Sequence, residues 1–258
     1  MTSLSITFGD QAENHKGMQK IGTPAQQGMK VGDLSYIAES YIKQGIVCEH
    51  FDLTSVLSSI QEMKNKINSI SASVLVIRNG LSSIFGITHD DFLKEQLSLS
   101  YDSKAFMYGR VCNKKARWNL CFGDFDQDPN YQEEKGRVIN FTHLPYLDYI
   151  RKNLHLFFGP KAYNLVAESN LYYDIENCGI GFHGDTERKI VICFRLGASI
   201  PLHYQWFLHH KPIGERIKLS LNPGDIYIMS EKAVGTDWKS SSFPTLRHAA
   251  GADKFLNT

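Results

Sequence analysis

No run among the 258 residues comes near the ~20 consecutive apolar positions that a bilayer-spanning helix requires, so no membrane segment is expected. Charge of one sign is also missing: 28 Lys and Arg face 27 Asp and Glu, a formal net charge of +1. A global field that could hold a polyanion is thereby excluded, and any nucleic-acid contact needs a local basic patch. Cysteine is sparse, five residues with no CxxC spacing, which argues against a disulfide framework or a structural zinc site and for a reducing compartment. The stretch from Met1 to Asp10 lacks a basic segment followed by a long apolar run, so no secretory signal is expected. There is no internal repeat and no low-complexity tract. What remains is ordinary for a globular chain, 42% apolar and 21% charged, expected to be intracellular, in the cytoplasm or nucleus.

The periodicities change along the chain. From Gly9 to Gly32 Gly, Gln and Asn dominate and no apolar period appears, so an irregular segment is expected. Asp33 is placed to cap a helix carrying Leu34, Ile37, Tyr41 and Ile42. A second helix is expected after Thr54, with Val56, Leu57, Ile60, Met63 and Ile67 at three-to-four spacing. Val74–Ile77 reads as a buried strand, His89–Leu93 as the start of a helix, and Leu144–Phe158 as an amphipathic helix stopped at Gly159-Pro160. Beyond it, strands are expected near 165–173, 179–183, 190–196, 202–207, 216–221 and 225–229. Short strands broken by turns such as Asn222–Asp225 predict an antiparallel sandwich or barrel. The expected class is α+β: an α-rich N-terminal extension over 1–100 and a β-rich domain over 101–258.

One segment carries chemistry. His183-Gly184-Asp185 sets an imidazole and a carboxylate two positions apart, and alternate residues of a strand share a face. Two such side chains can take adjacent sites on one metal. A further histidine from a distant strand would complete the two-His-one-carboxylate facial arrangement of non-haem Fe(II) oxygenases. His203, His209, His210 and His248 lie downstream, with His209-His210 in an expected hairpin loop. Alone, an HxD triplet is a weak signal, since a polar turn can supply it by chance.

Its flanks are more specific. Asn170-Leu171-Tyr172 leads into Ile180–Arg188; the apolar run Ile190–Phe194 and Leu196–Ala198 follow, then Ile217–Leu221 and Pro223–Met229. Together these resemble the AlkB-like Fe(II)/2-oxoglutarate-dependent dioxygenases over about residues 104–251. The resemblance implies a double-stranded β-helix, or jelly-roll, core in the C-terminal half. It implies His248 as the third iron ligand with His183 and Asp185, Fe(II) as the metal, and 2-oxoglutarate and O2 as cosubstrates. Asn170 and Tyr172 match positions that contact the cosubstrate. Residues 104–140 match a substrate-recognition lid, with Tyr108, Arg110 and Trp118 as contacts and Phe122 as a further stacking candidate. Arg188 matches an acidic-Arg step that could reach substrate.

The match breaks after His248. The family places an arginine for the distal carboxylate of 2-oxoglutarate well beyond that histidine, yet only ten residues follow it here, none an arginine. A buried carboxylate without a cation is costly. Arg195, Arg247 and Lys254 are the candidates: Arg195 leads for its bidentate geometry, and Arg247 faces away from the metal if His248 faces it. The implied activity is oxidation of a C–H bond with release of succinate and CO2. The leading substrate is an N-alkyl or methyl group on a nucleic-acid base, in a single strand or flipped out, as in demethylating DNA repair, because cations alternate with aromatics over Lys104–Trp118. The alternatives are a hydroxylase of a protein side chain or small metabolite, and a non-catalytic binding module. Glu13–His15 and Gly17–Gly22 look too particular for a linker but point to no mechanism.

Overall fold

Alternation of apolar with polar residues begins at once: Leu4, Ile6 and Phe8 are fully buried, while Ser5 and Thr7 point to the opposite face. This is β1 (Ser3–Gly9) of a computed structural model that describes residues 1–60, 63 and 70–257. A hairpin, β2 (Gln11–Glu13) and β3 (Lys20–Gly22), follows, then α1 (Val31–Ile42), β4 (Cys48–Asp52), β5 (Ser73–Ile77), α2 (Gly80–Phe85) and α3 (His89–Leu97). A second hairpin is built from β6 (Lys104–Met107) and β7 (Arg110–Asn113). Then come β8 (Trp118–Gly123), β9 (Val138–Asn140), α4 (Pro145–Phe158), β10 (Val166–Tyr172), β11 (Gly179–His183), β12 (Val191–Gly197), β13 (Leu202–Leu208), β14 (Lys211–Leu219), β15 (Ile226–Met229), α5 (Glu231–Val234) and β16 (Thr245–Gly251).

The protein is α+β, mostly strands. Eight of them form one sheet in the order β4-β5-β15-β12-β1-β10-β8-β9, and four form a second in the order β11-β16-β13-β14. Helices α1 to α4 cover one face of the large sheet. Their buried residues, among them Leu34, Phe85, Phe92 and Leu147, pack with Leu4, Ile6, Phe8, Ile192 and Phe194 into one apolar core. The small sheet stacks on the other face, where Val74, Val76, Val191 and Met229 meet Tyr204, Trp206 and Leu246. At roughly 25 cal/mol per Å² of apolar surface, these two layers supply the main stabilisation.

The expected helical extension over 1–100 is not evident. β1 lies antiparallel between β10 and β12 at the centre of the large sheet, β4 and β5 extend it past β15, and α1 to α3 pack on it. The physical reason is the alternation in Leu4–Phe8, which makes a strand buried on both faces. Asp33 sits inside the first turn of α1 rather than capping it; Lys30 holds the cap position and its N–H donates to Asp33 Oδ2 at 2.7 Å. Of the helix expected after Thr54, Ser55–Leu57 forms a short 3-10 turn, and residues 61–62 and 64–69 lie outside the described residues. Among the described residues no helix is long and apolar enough to cross a membrane.

Candidate metal centre

Strands β11 and β16 run antiparallel with His183 directly opposite His248. Both imidazoles project from the small sheet toward the large one, with ring centroids 4.4 Å apart. Asp185 follows just past the end of β11, where its backbone N–H donates to the Val234 carbonyl at 3.0 Å. Glycine is required at position 184 for this: a Cβ there would lie 2.0 Å from the carbonyl oxygen of Gly235, itself at φ +76°. The three side chains offer ligand atoms that all lie within 4.8 Å of one another.

Protonation decides what such a cluster can do. His183 Nδ1 lies 2.8 Å from the Gly181 carbonyl oxygen, which can only accept, so Nδ1 carries the proton and Nε2 keeps its lone pair. That Nε2 is 3.5 Å from Asp185 Oδ1, and His248 Nε2 is 3.6 Å from the same oxygen. Burial, reinforced by the His183 ring, lowers the pKa of His248 and keeps it neutral. For Asp185 burial opposes ionisation, but the Arg188 guanidinium beside it helps hold the carboxyl well below its ordinary range. Two imidazole lone pairs and a carboxylate oxygen converging on one point suit a divalent cation.

The other oxygen of Asp185 is held from behind. Arg188 Nε lies 3.5 Å from Oδ2, and the same guanidinium binds Glu187 at 2.8 Å and Glu168 at 2.5 Å. Burial opposes its charge, yet Glu168, Glu187 and Asp185 hold its pKa well above the usual value. The network continues along β10: Asn170 Nδ2 donates to Glu168 Oε1 at 3.0 Å, while Asn170 Oδ1 accepts from Arg117 Nε at 2.6 Å and Asn119 Nδ2 at 2.7 Å.

The triad opens on a cavity of about 410 Å³ between the two sheets, whose lining includes Ser5, Asn170, Tyr172, Arg188 and Arg195. Arg195 on β12 is 4% exposed. Its Nη2 donates to Ser3 Oγ at 3.2 Å and to the Ile200 carbonyl at 3.4 Å, and its Nε has no partner. Among the described residues no carboxylate lies within ion-pairing distance of it. Tyr172 is buried, which raises the pKa of its phenol and leaves an O–H as a donor.

The remaining sequence candidates lie elsewhere. Arg247 projects from the opposite face of the small sheet onto Phe207, and Lys254 is exposed; neither lines the cavity. Tyr108 and Arg110 stand exposed at the tip of the β6–β7 hairpin, away from the cavity. Trp118 packs on Tyr173, and Phe122 is fully buried in the helix-side core, so it is not free to stack a base. His209 and His210 are exposed in the β13–β14 turn. His203 is buried, faces away from the triad, and has no hydrogen-bond partner at either nitrogen. The sequence reading missed the cavity roles of Ser5, Thr7 and Glu168. The alternation in β1, and the shared parity of Glu168, Asn170 and Tyr172, are the signals that mark them. The turn after β2, from Asn14 to Lys16, also reaches the cavity mouth, which gives Glu13–His15 a place.

No family model matches the chain. It is 50% identical over 254 residues to "Uncharacterized protein R156" of Acanthamoeba polyphaga mimivirus, an alignment covering 98% of this chain and 97% of the viral protein. With half of all aligned positions identical across nearly the full length of both, the chain belongs to the same family as that uncharacterized mimivirus protein.

Proposed function

We infer that the protein is an Fe(II)- and 2-oxoglutarate-dependent dioxygenase, AlkB-like, oxidising an N-alkyl or methyl group on a nucleic-acid base. The observation that carries this is one cavity holding both a two-His-one-carboxylate cluster and a buried guanidinium with no carboxylate of its own. Fe(II) would be held by His183, Asp185 and His248, and with 2-oxoglutarate bound it supplies the activation of dioxygen for C–H oxidation, releasing succinate and CO2. The chain's own residues prepare the site. Gly181 fixes the His183 tautomer, Arg188 fixes the Asp185 carboxylate, and Arg195 offers its charge and its unpartnered Nε–H to the distal carboxylate of the cosubstrate. Tyr172 adds a hydroxyl donor in the same cavity.

The sheet order supports a jelly-roll core with a rearranged closing strand. Counting β10 to β16 as strands one to seven, and β1 as the eighth, the sheets read 1-8-3-6 and 2-7-4-5. The strand expected beyond His248 is thus replaced by one from the N-terminal end. That strand carries Ser5 and Thr7 where an arginine was sought, and Arg195 on the adjoining β12 takes over the cation's place. The base as substrate is favoured by the cavity mouth, where Lys16, Arg117, Trp238 and Lys239 gather.

The test is oxygen-dependent succinate release with Fe(II) and 2-oxoglutarate, with and without methylated single-stranded DNA. Stimulation by the oligonucleotide, and loss of turnover in His183→Ala, are expected. Full turnover in His183→Ala would overturn the metal assignment; stimulation by peptide or metabolite alone would move the substrate to the alternative hydroxylase reading.

A further inference from the structure

The face of the small sheet opposite the triad carries rings and cations in alternation. Arg216 Cζ of β14 lies 5.0 Å from the Phe182 ring of β11, and Phe182 lies 6.2 Å from Phe207 of β13. Arg247 Cζ of β16 sits 4.0 Å over Phe207 and 5.2 Å from Trp238, and Lys239 Nζ is 5.9 Å from Trp238. Lys218 stands opposite His203 on the same face. Among the described residues none of Arg216, Lys218, Lys239 or Arg247 forms an ion pair with a carboxylate. Asp237 is already engaged by Lys232, and Glu215 and Asp253, the nearest other acids in sequence, form no ion pair with these cations. Several polar atoms here are buried without partners: Arg247 Nε, Trp238 Nε1 and both nitrogens of His203, a side chain 6% exposed.

Cations that solvate a surface are commonly paired with acids. Here Arg216, Lys239 and Arg247 lean on aromatic faces instead, and Arg247 Nη2 reaches an imidazole nitrogen, His210 Nδ1, at 3.4 Å. Phe182 and Arg247 are each one residue from a triad histidine, and Phe182, Trp238 and Lys239 also line the cavity mouth. The row therefore meets the cavity at Phe182, Trp238 and Lys239.

We propose that this row, Arg216-Phe182-Phe207-Arg247-Trp238-Lys239, is a track for single-stranded nucleic acid that delivers a base to the cavity. Phosphates meet the cations, and bases stack on Trp238 and the exposed edge of Phe182. A duplex, whose bases are already stacked, offers no partner for the rings. An acidic peptide would satisfy the cations but not the rings. The substrate class rests on the function proposed above; the track itself does not depend on the metal.

The experiment is fluorescence anisotropy of the full chain with a fluorescein-labelled oligothymidine of about 15 nucleotides, between ~50 and ~200 mM salt. The wild type is expected to bind with affinity falling as salt rises. Exposed Arg216 and Lys239 are changed together to Ala, with a thermal melt confirming the fold. Each phosphate that is no longer neutralised lowers the log–log salt slope by ~0.7, so the double variant should fall by ~1.4 in slope and over ~10-fold in affinity. Trp238→Ala should weaken binding by roughly 5- to 150-fold, because a base then has no ring to stack on. Unchanged affinity and slope in the double variant would overturn the track, as would polyglutamate of equal charge displacing the oligonucleotide equally well. His183→Ala should bind the oligonucleotide as the wild type does while releasing no succinate; loss of binding in it would put the strand on the triad and refute the track. Track-dependent binding in a protein with no 2-oxoglutarate turnover would keep the track and discard the proposed function. Turnover without oligonucleotide binding would discard the track and the nucleic-acid substrate and keep only the dioxygenase.

Discussion

Replacing Arg195 by Met separates stability from ligand binding at one position. In the protein alone the guanidinium is 4% exposed and makes only two long hydrogen bonds, to Ser3 Oγ at 3.2 Å and to the Ile200 carbonyl at 3.4 Å. Those bonds contribute ~2 kcal/mol together at most, whereas burying an uncompensated charge costs several kcal/mol. A methionine of similar reach should leave the ligand-free protein as stable or slightly more so. A gain of ~1 kcal/mol corresponds to ~2–4 °C in melting temperature at this size. Loss of a charge-assisted pair to 2-oxoglutarate is worth ~1.5–3 kcal/mol, so the cosubstrate requirement should rise roughly 10- to 150-fold. Anaerobic thermal melts with Fe(II) read both effects. At a 2-oxoglutarate concentration of about 100 Kd the wild type gains ~2.7 kcal/mol, and the variant should gain only ~0.3–1.4 kcal/mol. A variant that melts far below the wild type, yet keeps the full 2-oxoglutarate shift, would refute the reasoning and make Arg195 a structural residue.

Three other perturbations follow from the same geometry. Arg188→Met leaves Glu168, Glu187 and Asp185 without their shared cation, and should cost ~3–5 kcal/mol in urea unfolding, part of it regained by adding Glu168→Gln; a cost under ~1 kcal/mol would contradict the network. Gly184→Ala drives a Cβ against the Gly235 backbone, so stability should fall by ~1–3 kcal/mol and Fe(II) retention with it, measured by melting and metal titration. Lys114 is buried and donates to Asn14 and Asn119, and burial pulls its pKa from 10.5 to about 8. Below pH 8 the lysine is charged in both folded and unfolded chains; between pH 8 and the unfolded value the unfolded chain binds the extra proton, so stability should rise with pH, by ~3 kcal/mol at most. Lys114→Met should lack that rise, and an identical pH profile for both proteins would show that the lysine is not desolvated.

Much of the second half was legible because its signals are local. The expected strand at 165–173 appears as Val166–Tyr172, that at 202–207 as Leu202–Leu208, and Asn222–Asp225 turns as its Asn, Pro and Gly require. His183 and Asp185 come together as their two-residue spacing suggested, though Asp185 lies past the end of β11 and is set by the turn at Gly184 and not by strand alternation. β1 was not read: its partners lie more than 160 residues away, at Tyr172 and Gly197, and its meaning comes from that long-range pairing. Missing β1 made the first hundred residues look like an appendage to the β-rich half. Arg195 was named from its chemistry, but its lack of a carboxylate partner is a property of the packing and could not be read from the chain. Tyr108, Arg110, Trp118 and Phe122 were drawn from a likeness to a recognition lid and from the mix of cations and aromatics around them. Position in the sheets separates exposed hairpin residues from core ones, and composition does not.

The central claim is that His183, Asp185 and His248 hold Fe(II) beside a 2-oxoglutarate site on Arg195. Anaerobic addition of Fe(II) and then 2-oxoglutarate, followed by visible absorption, tests it most directly. The account predicts a weak charge-transfer band from the iron–oxoglutarate chelate, absent in Asp185→Ala and requiring much more cosubstrate in Arg195→Met. No band in the wild type, with Fe(II) shown to be bound, would contradict the oxoglutarate site; a band of full intensity in Asp185→Ala would contradict the metal centre itself.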